Sequence, residues 1–284
     1  GLGDVYKRQV DSLGGNVFGV LLDYGQNLDV VNLFESDFYK NYCARLYDYN
    51  QKGYISADAS TDTTAVGELV KAGTLMSYTT GGKPGIKAQE TTLTGRDMTI
   101  FQTLDDYISS TSVAGMPWTI PISAQHKEAA MKFLNECYTN ADVANLLAWG
   151  IEGTHYKIGD DGLATYADGV AASNSGWNHS MGWMMPNQFL THVWEGNDPD
   201  LWTKMKEFNT NAKVSKASGF SFDSTNVANE LTAVQNVYNE YQTSVEYGFV
   251  DPETGIAEMN DKMMTAGLQK IIDEKKAQLA AWQE

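Results

Sequence analysis

Leu146-Leu147-Ala148-Trp149-Gly150-Ile151-Glu152-Gly153-Thr154-His155-Tyr156 reads as the last turn of a helix that breaks at Gly150. Two glycines three positions apart let the backbone turn sharply and take left-handed angles. Such a turn can bring Trp149, Glu152, His155 and Tyr156 to one spot. An aromatic ring, a carboxylate, an imidazole and a phenol together suit a polar ligand. The same pattern suits an ordinary helix C-cap followed by a strand, and the local sequence leaves both readings open.

Working outward, Asn140 or Thr139 caps the helix that delivers this stretch through Val143, Leu146 and Leu147. Ser123 is read as the cap of the helix before it, with Ala130, Phe133, Leu134 and Cys137 turned inward. Val113–Ile122 is extended, because Pro117 and Pro121 flank Trp118. On the other side, Tyr156–Tyr166 predicts a β-hairpin, since Asp161-Gly162 supplies the positive φ of a tight turn. Ser173–Trp194 is irregular and aromatic, holding Trp177, Trp183, Phe189 and Trp194 among Asn178, His179, Asn187, Gln188 and His192.

Further out, Val17–Asp23 is a short apolar run suited to a buried strand. Ser36 caps a helix with Phe38, Tyr42, Leu46 and Tyr49 on one face, ending at Gly53. A helix over Thr63–Ala72 ends at Gly73. Thr74–Thr80 and Met98–Leu104 are strand-like, with a Gly81–Gly85 turn after the first. Pro199 opens a helix to Asn209, and Ser224 caps a long helix closed by Gly248. Ile256–Trp282 is helical, with a break at Gly267 and with Leu268, Ile271, Ile272, Lys275, Leu279 and Trp282 in phase. Trp202 and Trp282 are read as core.

The composition narrows the function. A net charge of −16 argues against nucleic acid and anionic membrane surfaces, which demand basic patches. No apolar run approaches the ~20 residues that span a bilayer. Cys43 and Cys137 sit in amphipathic helical patterns, which favours two buried thiols over a disulfide. Gly1–Gln9 has no initiator Met and no continuity with the chain from Val10 onward, and is read as a non-native, adapter-derived tail. No phosphate-cradling loop occurs after Val10, and there is no HExxH or CxxC. Gly219-Phe220-Ser221-Phe222-Asp223 lacks the second Gly of a nucleophile elbow. In Asp251-Pro252-Glu253-Thr254-Gly255 the Gly comes one position early for a calcium loop. No catalytic residue, metal or cofactor is therefore expected. What remains is aromatic rings among amides and acids, a set that stacks on sugar faces and bonds their hydroxyls.

Several runs carry a family likeness. Ile122-Ser-Ala-Gln-His-Lys-Glu-Ala-Ala-Met-Lys-Phe-Leu-Asn-Glu136, leading to Gly150-Ile-Glu-Gly-Thr-His-Tyr156, resembles the extracellular solute-binding proteins of ABC importers. It is more closely similar to the LipO-like branch of sugar-binding family 1. Gly219–Asp223, Asn229–Tyr241, Gly248–Pro252 and Ala266–Trp282 resemble that branch's C-terminal domain of unknown function. The resemblance implies an α/β, periplasmic-binding-protein-like type II two-lobed fold with a helix-rich C-terminal region. It also implies that the fold is incomplete here, the N-terminal lobe, signal peptide and lipid anchor lying upstream of Val10. Apolar surface should then be exposed where that lobe would pack. The implied divisions are 10–112 in one lobe, 113–157 with the crossings, and 158–284 as a C-terminal domain. Hinges are expected at Val113–Ile122 and Glu152–Ile158, with Gly115 and Gly153 absorbing the angle changes.

The implied function is a monomeric, lipid-anchored binding protein outside the cell that delivers a carbohydrate or related polar solute to a permease. Trp118, Trp177 and Trp183 are expected to stack on the solute, with Trp149 a further platform. Glu152, His155, Tyr156 and Asn187 are expected to bind its polar groups. Three rivals are a binder of peptides, amino acids or polyamines, a secreted carbohydrate-active enzyme, and a surface interaction protein. The enzyme would need two carboxyls facing across a cleft.

Overall fold

The computed structural model describes residues 9–112, 117–177, 182–185 and 187–283, apart from the Trp183 side chain. In chain order the helices are α1 (Asp37–Gln51), α2 (Val66–Ala72), α3 (Ile86–Thr94), α4 (Lys127–Thr139), α5 (Ala141–Trp149), α6 (Leu201–Asn211), α7 (Ala228–Glu246), α8 (Pro252–Ala266) and α9 (Leu268–Gln283). The strands are β1 (Tyr107–Ile108), β2 (Tyr156–Ile158), β3 (Ala164–Tyr166) and β4 (Lys213–Val214). The chain divides into unit 1, made of Gly1–Gly81, Phe101–Gly115 and Asn211–Glu284, and unit 2, made of Gly82–Ile100 and Met116–Thr210.

Unit 1 is built on α1 and the α7–α9 helices. Ser36 starts α1 by accepting from the Tyr39 N–H, and Asp251 starts α8 by accepting from Thr254, with Pro252 in the first turn. Gly267 takes a left-handed angle between α8 and α9. Their inward faces bury Val234, Tyr238, Ile256, Met259, Met263, Leu268, Ile271 and Leu279 against Phe18, Leu21, Leu33, Phe34, Tyr39 and Cys43. Residues near both ends of the chain therefore share one core. β1 and β4 pair in parallel, Tyr107 with Lys213 and Ile108 with Val214.

Unit 2 contains α3–α5, most of α6 and the antiparallel β2–β3 hairpin, with Tyr156 opposite Tyr166. Gly162 supplies the hairpin's positive φ of 80°. The buried apolar cluster is small: Leu163, Val193 and Leu201, with Trp202 packed against it. On α4 and α5 the sequence stripe is only partly covered. Cys137 is buried, but Met131, Phe133 and Leu146 are more than half exposed, as are nearby Ile122 and Ile151.

Several expectations are corrected. Phe133 faces outward rather than inward, and Trp282 is 44% exposed, edge-on to Phe220. α4 starts at Lys127 after His126 rather than from a Ser123 cap. Thr74–Thr80 and Met98–Leu104 are not strands, since among the described residues no segment pairs with them, and Val17–Asp23 makes only isolated bridges there, at Val20 and Leu21. Helix α3 carries no sequence signal of its start: it begins at Gly85 in a left-handed conformation with no side-chain cap. The Glu152–Ile158 stretch lies inside unit 2 and is not a crossing between units. Residues 82–100 and 158–210 also fall in unit 2 rather than in the divisions expected for them. Gly115 lies outside the described residues. Both cysteines are free and buried.

Candidate functional site

All eight expected site residues fall in unit 2. The corner after α5 is a closed local structure. Gly150 has φ 86° and ψ −144°, and a Cβ there would lie 2.6 Å from His155 Nδ1 and 2.9 Å from Trp177 Cδ1. Only glycine fits a backbone that two rings approach this closely. The Ile151 N–H donates to His155 Nδ1 at 2.9 Å, and the His155 N–H returns to the Ile151 carbonyl at 2.8 Å. Accepting at Nδ1 puts the proton of the neutral imidazole on Nε2.

The aromatic residues here share one device. Trp177 Nε1 donates to the Leu147 carbonyl at 3.1 Å, Trp149 Nε1 to His192 at 3.1 Å, Trp118 Nε1 to Met184 at 2.8 Å and Trp202 Nε1 to Thr191 at 2.7 Å. An indole has one donor, so each ring is fixed by its single polar atom. What then separates them is exposure. Trp118 is 43% and Trp177 44% exposed, leaving ring area open. Trp149 is instead half-buried against Trp194, with ring centroids 4.7 Å apart.

The remaining candidates divide similarly. Asn187 uses both ends of its amide, donating to the Tyr138 carbonyl and accepting from Phe189 N–H. Tyr156 is buried in β2, and burial raises its phenol pKa, with the Glu152 and Asp142 carboxylates adding to the rise. Glu152 is exposed and His155 half-buried beside it. Trp183's side chain, with Asn178 and His179, lies outside the described residues. Asn145 is a polar anchor that sequence reasoning misses. It is buried, accepts from His192 N–H at 2.8 Å and donates to the Ala141 and Leu190 carbonyls. A polar residue beside the apolar Ala144 and Ala148 on α5 is the available signal.

Two concavities lie elsewhere, in unit 1. A groove of about 580 Å3 between α1 and α8 has Phe34, Ala44, Ile256 and Ala257 in its lining, and another of about 420 Å3 is lined by α9 and residues 28–31. Neither touches an expected site residue. Among the described residues, no group of three or more His, Cys, Asp or Glu side chains could hold a metal ion, and no helix is long and apolar enough to cross a membrane.

Residues 216–284 match the family described as Domain of unknown function (DUF3502). The chain is 28% identical over 261 residues to a carbohydrate ABC transporter substrate-binding protein of Streptococcus pneumoniae serotype 4, covering 89% of this chain and 52% of that one. It also superposes on the crystal structure of an N-glycan transport solute-binding protein, NgtS, from Streptococcus pneumoniae. The TM-score is 0.80 at 24% identity, over 96% of this chain and 60% of that one. The fold is that of a solute-binding protein. The same protein in complex with Man1GlcNAc matches with a TM-score of 0.75, again at 24% identity, over 95% of this chain and 60% of that one. This chain spans about half to three-fifths of the length of these solute-binding relatives.

Proposed function

We propose that the protein is the substrate-binding component of an ABC importer, and that it binds a carbohydrate rather than transforming one. The observation that carries this reading is the fold shared with a solute-binding protein solved with Man1GlcNAc and with Man5GlcNAc. The chemistry of unit 2 supports it. Trp118 and Trp177 keep ring area exposed while their N–H groups are bound to backbone, so each offers an apolar face held in one orientation. Such faces stack on the C–H side of a sugar ring at little entropic cost, because the protein side is already ordered. Exposed Glu152 and half-buried His155, its Nε2 carrying the proton, supply an acceptor and a donor for hydroxyls.

In this reading the protein works outside the cell, tethered by lipid, and hands its solute to a permease as a monomer. Trp149, Tyr156 and Asn187 support the rings rather than touch the solute. The test is a thermal-shift series with mannose- and GlcNAc-containing oligosaccharides alongside amino acids, peptides and polyamines. A glycan at a hundredfold its Kd is expected to stabilise by about 2.7 kcal/mol. Stabilisation by a polyamine or peptide and by no sugar would overturn the carbohydrate assignment. Turnover of a glycan during the incubation would overturn the non-enzymatic one.

A further inference from the structure

We propose that Lys275 and Asp11 form a buried two-ended polar latch, through which helix α9 fixes the chain segment that ends at Ser110. Both side chains are fully buried, and the loop from Asp11 to Leu21 runs between them within unit 1. Lys275 Nζ donates to the carbonyls of Ser12 at 2.9 Å and Gly19 at 2.8 Å, and to Asn16 Oδ1 at 3.0 Å. The Asn16 carbonyl is a fourth oxygen within reach, at 3.4 Å. The Phe222 ring, its centroid 5.3 Å from Nζ, adds a cation–π contact. The loop reaches α9 only because residue 19 is glycine. Its φ is +90°, and a Cβ there would sit 3.2 Å from Ile272 Cγ1 and 3.3 Å from Lys275 Cδ.

The other end of the same loop is held by the Asp11 carboxyl. Asp11 Oδ2 accepts from the Ser110 N–H at 2.7 Å, and Oδ1 accepts from Ser110 Oγ at 2.5 Å and from the Leu13 N–H at 3.0 Å. Main-chain bonds between Asp11 and Leu21 close the loop at its base. A buried polar group stripped of its partners costs its full desolvation penalty, whichever protonation state it holds. Neither end therefore lets go alone. Ser110 follows β1, and β1 pairs with β4, which is gripped in turn by Gln26 Nε2 on the Val214 carbonyl at 3.0 Å. The Lys216 N–H next to β4 donates to the Gly25 carbonyl at 2.9 Å. Residues 11–26 thus hold both strands, and Lys275 holds residues 12–19.

The latch gives the 216–284 region a mechanical role. It anchors β1 and β4 to one another and to α9 through residues 11–26. Because coupling is reciprocal, loosening either end should loosen the other. The test is amide hydrogen exchange on the full chain, comparing wild type with Lys275→Met, Asp11→Asn and Ser110→Ala. Lys275→Met is expected to speed exchange about tenfold or more in both 11–21 and 105–112, leaving α1 at wild-type rates. Ser110→Ala is expected to speed exchange at 11–19. If Lys275→Met leaves 105–112 protected, or loosens α1 equally, the latch is overturned. Should Lys275→Met fail to fold, wild-type exchange of 12–19 in both Asp11→Asn and Ser110→Ala overturns it. No glycan enters the measurement, so its failure leaves the proposed binding function untouched.

Discussion

The two units solve the same problem with different chemistry. Unit 1 buries a continuous apolar core in which Phe18, Phe34, Tyr39 and Tyr238 pack with centroids 5.2–6.5 Å apart. Unit 2 has a small cluster around Leu163, Val193 and Leu201, and is stitched by large side chains bonded to main-chain carbonyls. Burial in the first rewards any well-fitting apolar group, whereas stitching in the second rewards particular rings in particular places. Fixing a ring by its N–H holds it without full burial, as at Trp118 and Trp177, which stay 43% and 44% exposed.

The sharpest way to break this comparison is to remove core from each unit. Met259→Ala, at a fully buried position on α8, is expected to cost about 2–5 kcal/mol in urea unfolding. Leu163→Ala, on the hairpin and 9% exposed, is expected at or below the lower end of that range. Equal losses would mean that unit 2 depends on apolar burial as heavily as unit 1.

The next effect is confined to unit 1 and depends on pH. Burial lowers the Lys275 ammonium pKa to about 7, a shift the Asp11 carboxylate opposes. Between about pH 7 and 10 the unfolded chain then binds more protons there, so stability should rise with pH across that window. Cys43 runs the other way. Burial pushes its thiol up to about 12, and the nearby Glu246 carboxylate adds to the rise, against the Tyr39 bond that lowers it. Its contribution is complete below the unfolded thiol's value near 9 and is lost as pH rises from there to about 12. Urea midpoints should therefore climb from pH 7, level off from about pH 9 where the two slopes oppose each other, and fall only above about pH 10. Lys275→Met should remove the climb and Cys43→Ala should soften the fall. A profile unchanged by both variants would show that neither group governs this window.

Much of the fold is legible where the signal is local. Ser36 and Asn140 cap helices as their side chains suggest, Gly267 breaks α8 from α9, and Asp161-Gly162 turns the hairpin, whereas sequence reasoning misses the Asp251 cap that starts α8 at Pro252, ahead of the expected Ile256. Partners distant in sequence are not legible. Lys275 lies in phase with an apolar face, but its acceptors at Ser12, Asn16 and Gly19 are more than 250 positions away. Met98–Leu104 alternates like a strand yet pairs with no segment among the described residues. The glycines around Gly150 do signal a tight turn that gathers a ring and an imidazole. That Trp149 turns inward while Trp177 stays open depends on Trp194 and Leu147, which spacing does not reveal.

In unit 2 the next largest effect belongs to that corner. Gly150→Ala places a Cβ against His155 and Trp177 at a left-handed φ, and is expected to cost about 1–3 kcal/mol. The change should appear in the tryptophan emission spectrum and as faster exchange of the Ile151 and His155 amides. Main-chain protection in α7–α9 should not move. Protection lost in unit 1 as well would join the two units' stabilities and weaken the contrast.

The smallest change is the most telling for function. Trp177→Phe keeps an aromatic face but removes the N–H bonded to Leu147, so stability should fall by only about 1 kcal/mol. Trp177→Ala removes the face as well. If the exposed ring stacks on solute, affinity for a glycan should fall about two- to tenfold in Trp177→Ala, matching an aromatic contact of about 0.5–1.5 kcal/mol. In Trp177→Phe it should fall less, because a smaller ring with no anchor still offers a face. Isothermal titration of both variants separates the two roles of the side chain. Equal losses in the two would mean that orientation by the N–H, and not ring area, carries the binding. No loss in either would confine Trp177 to stitching, and unit 2 would then need another face for its ligand.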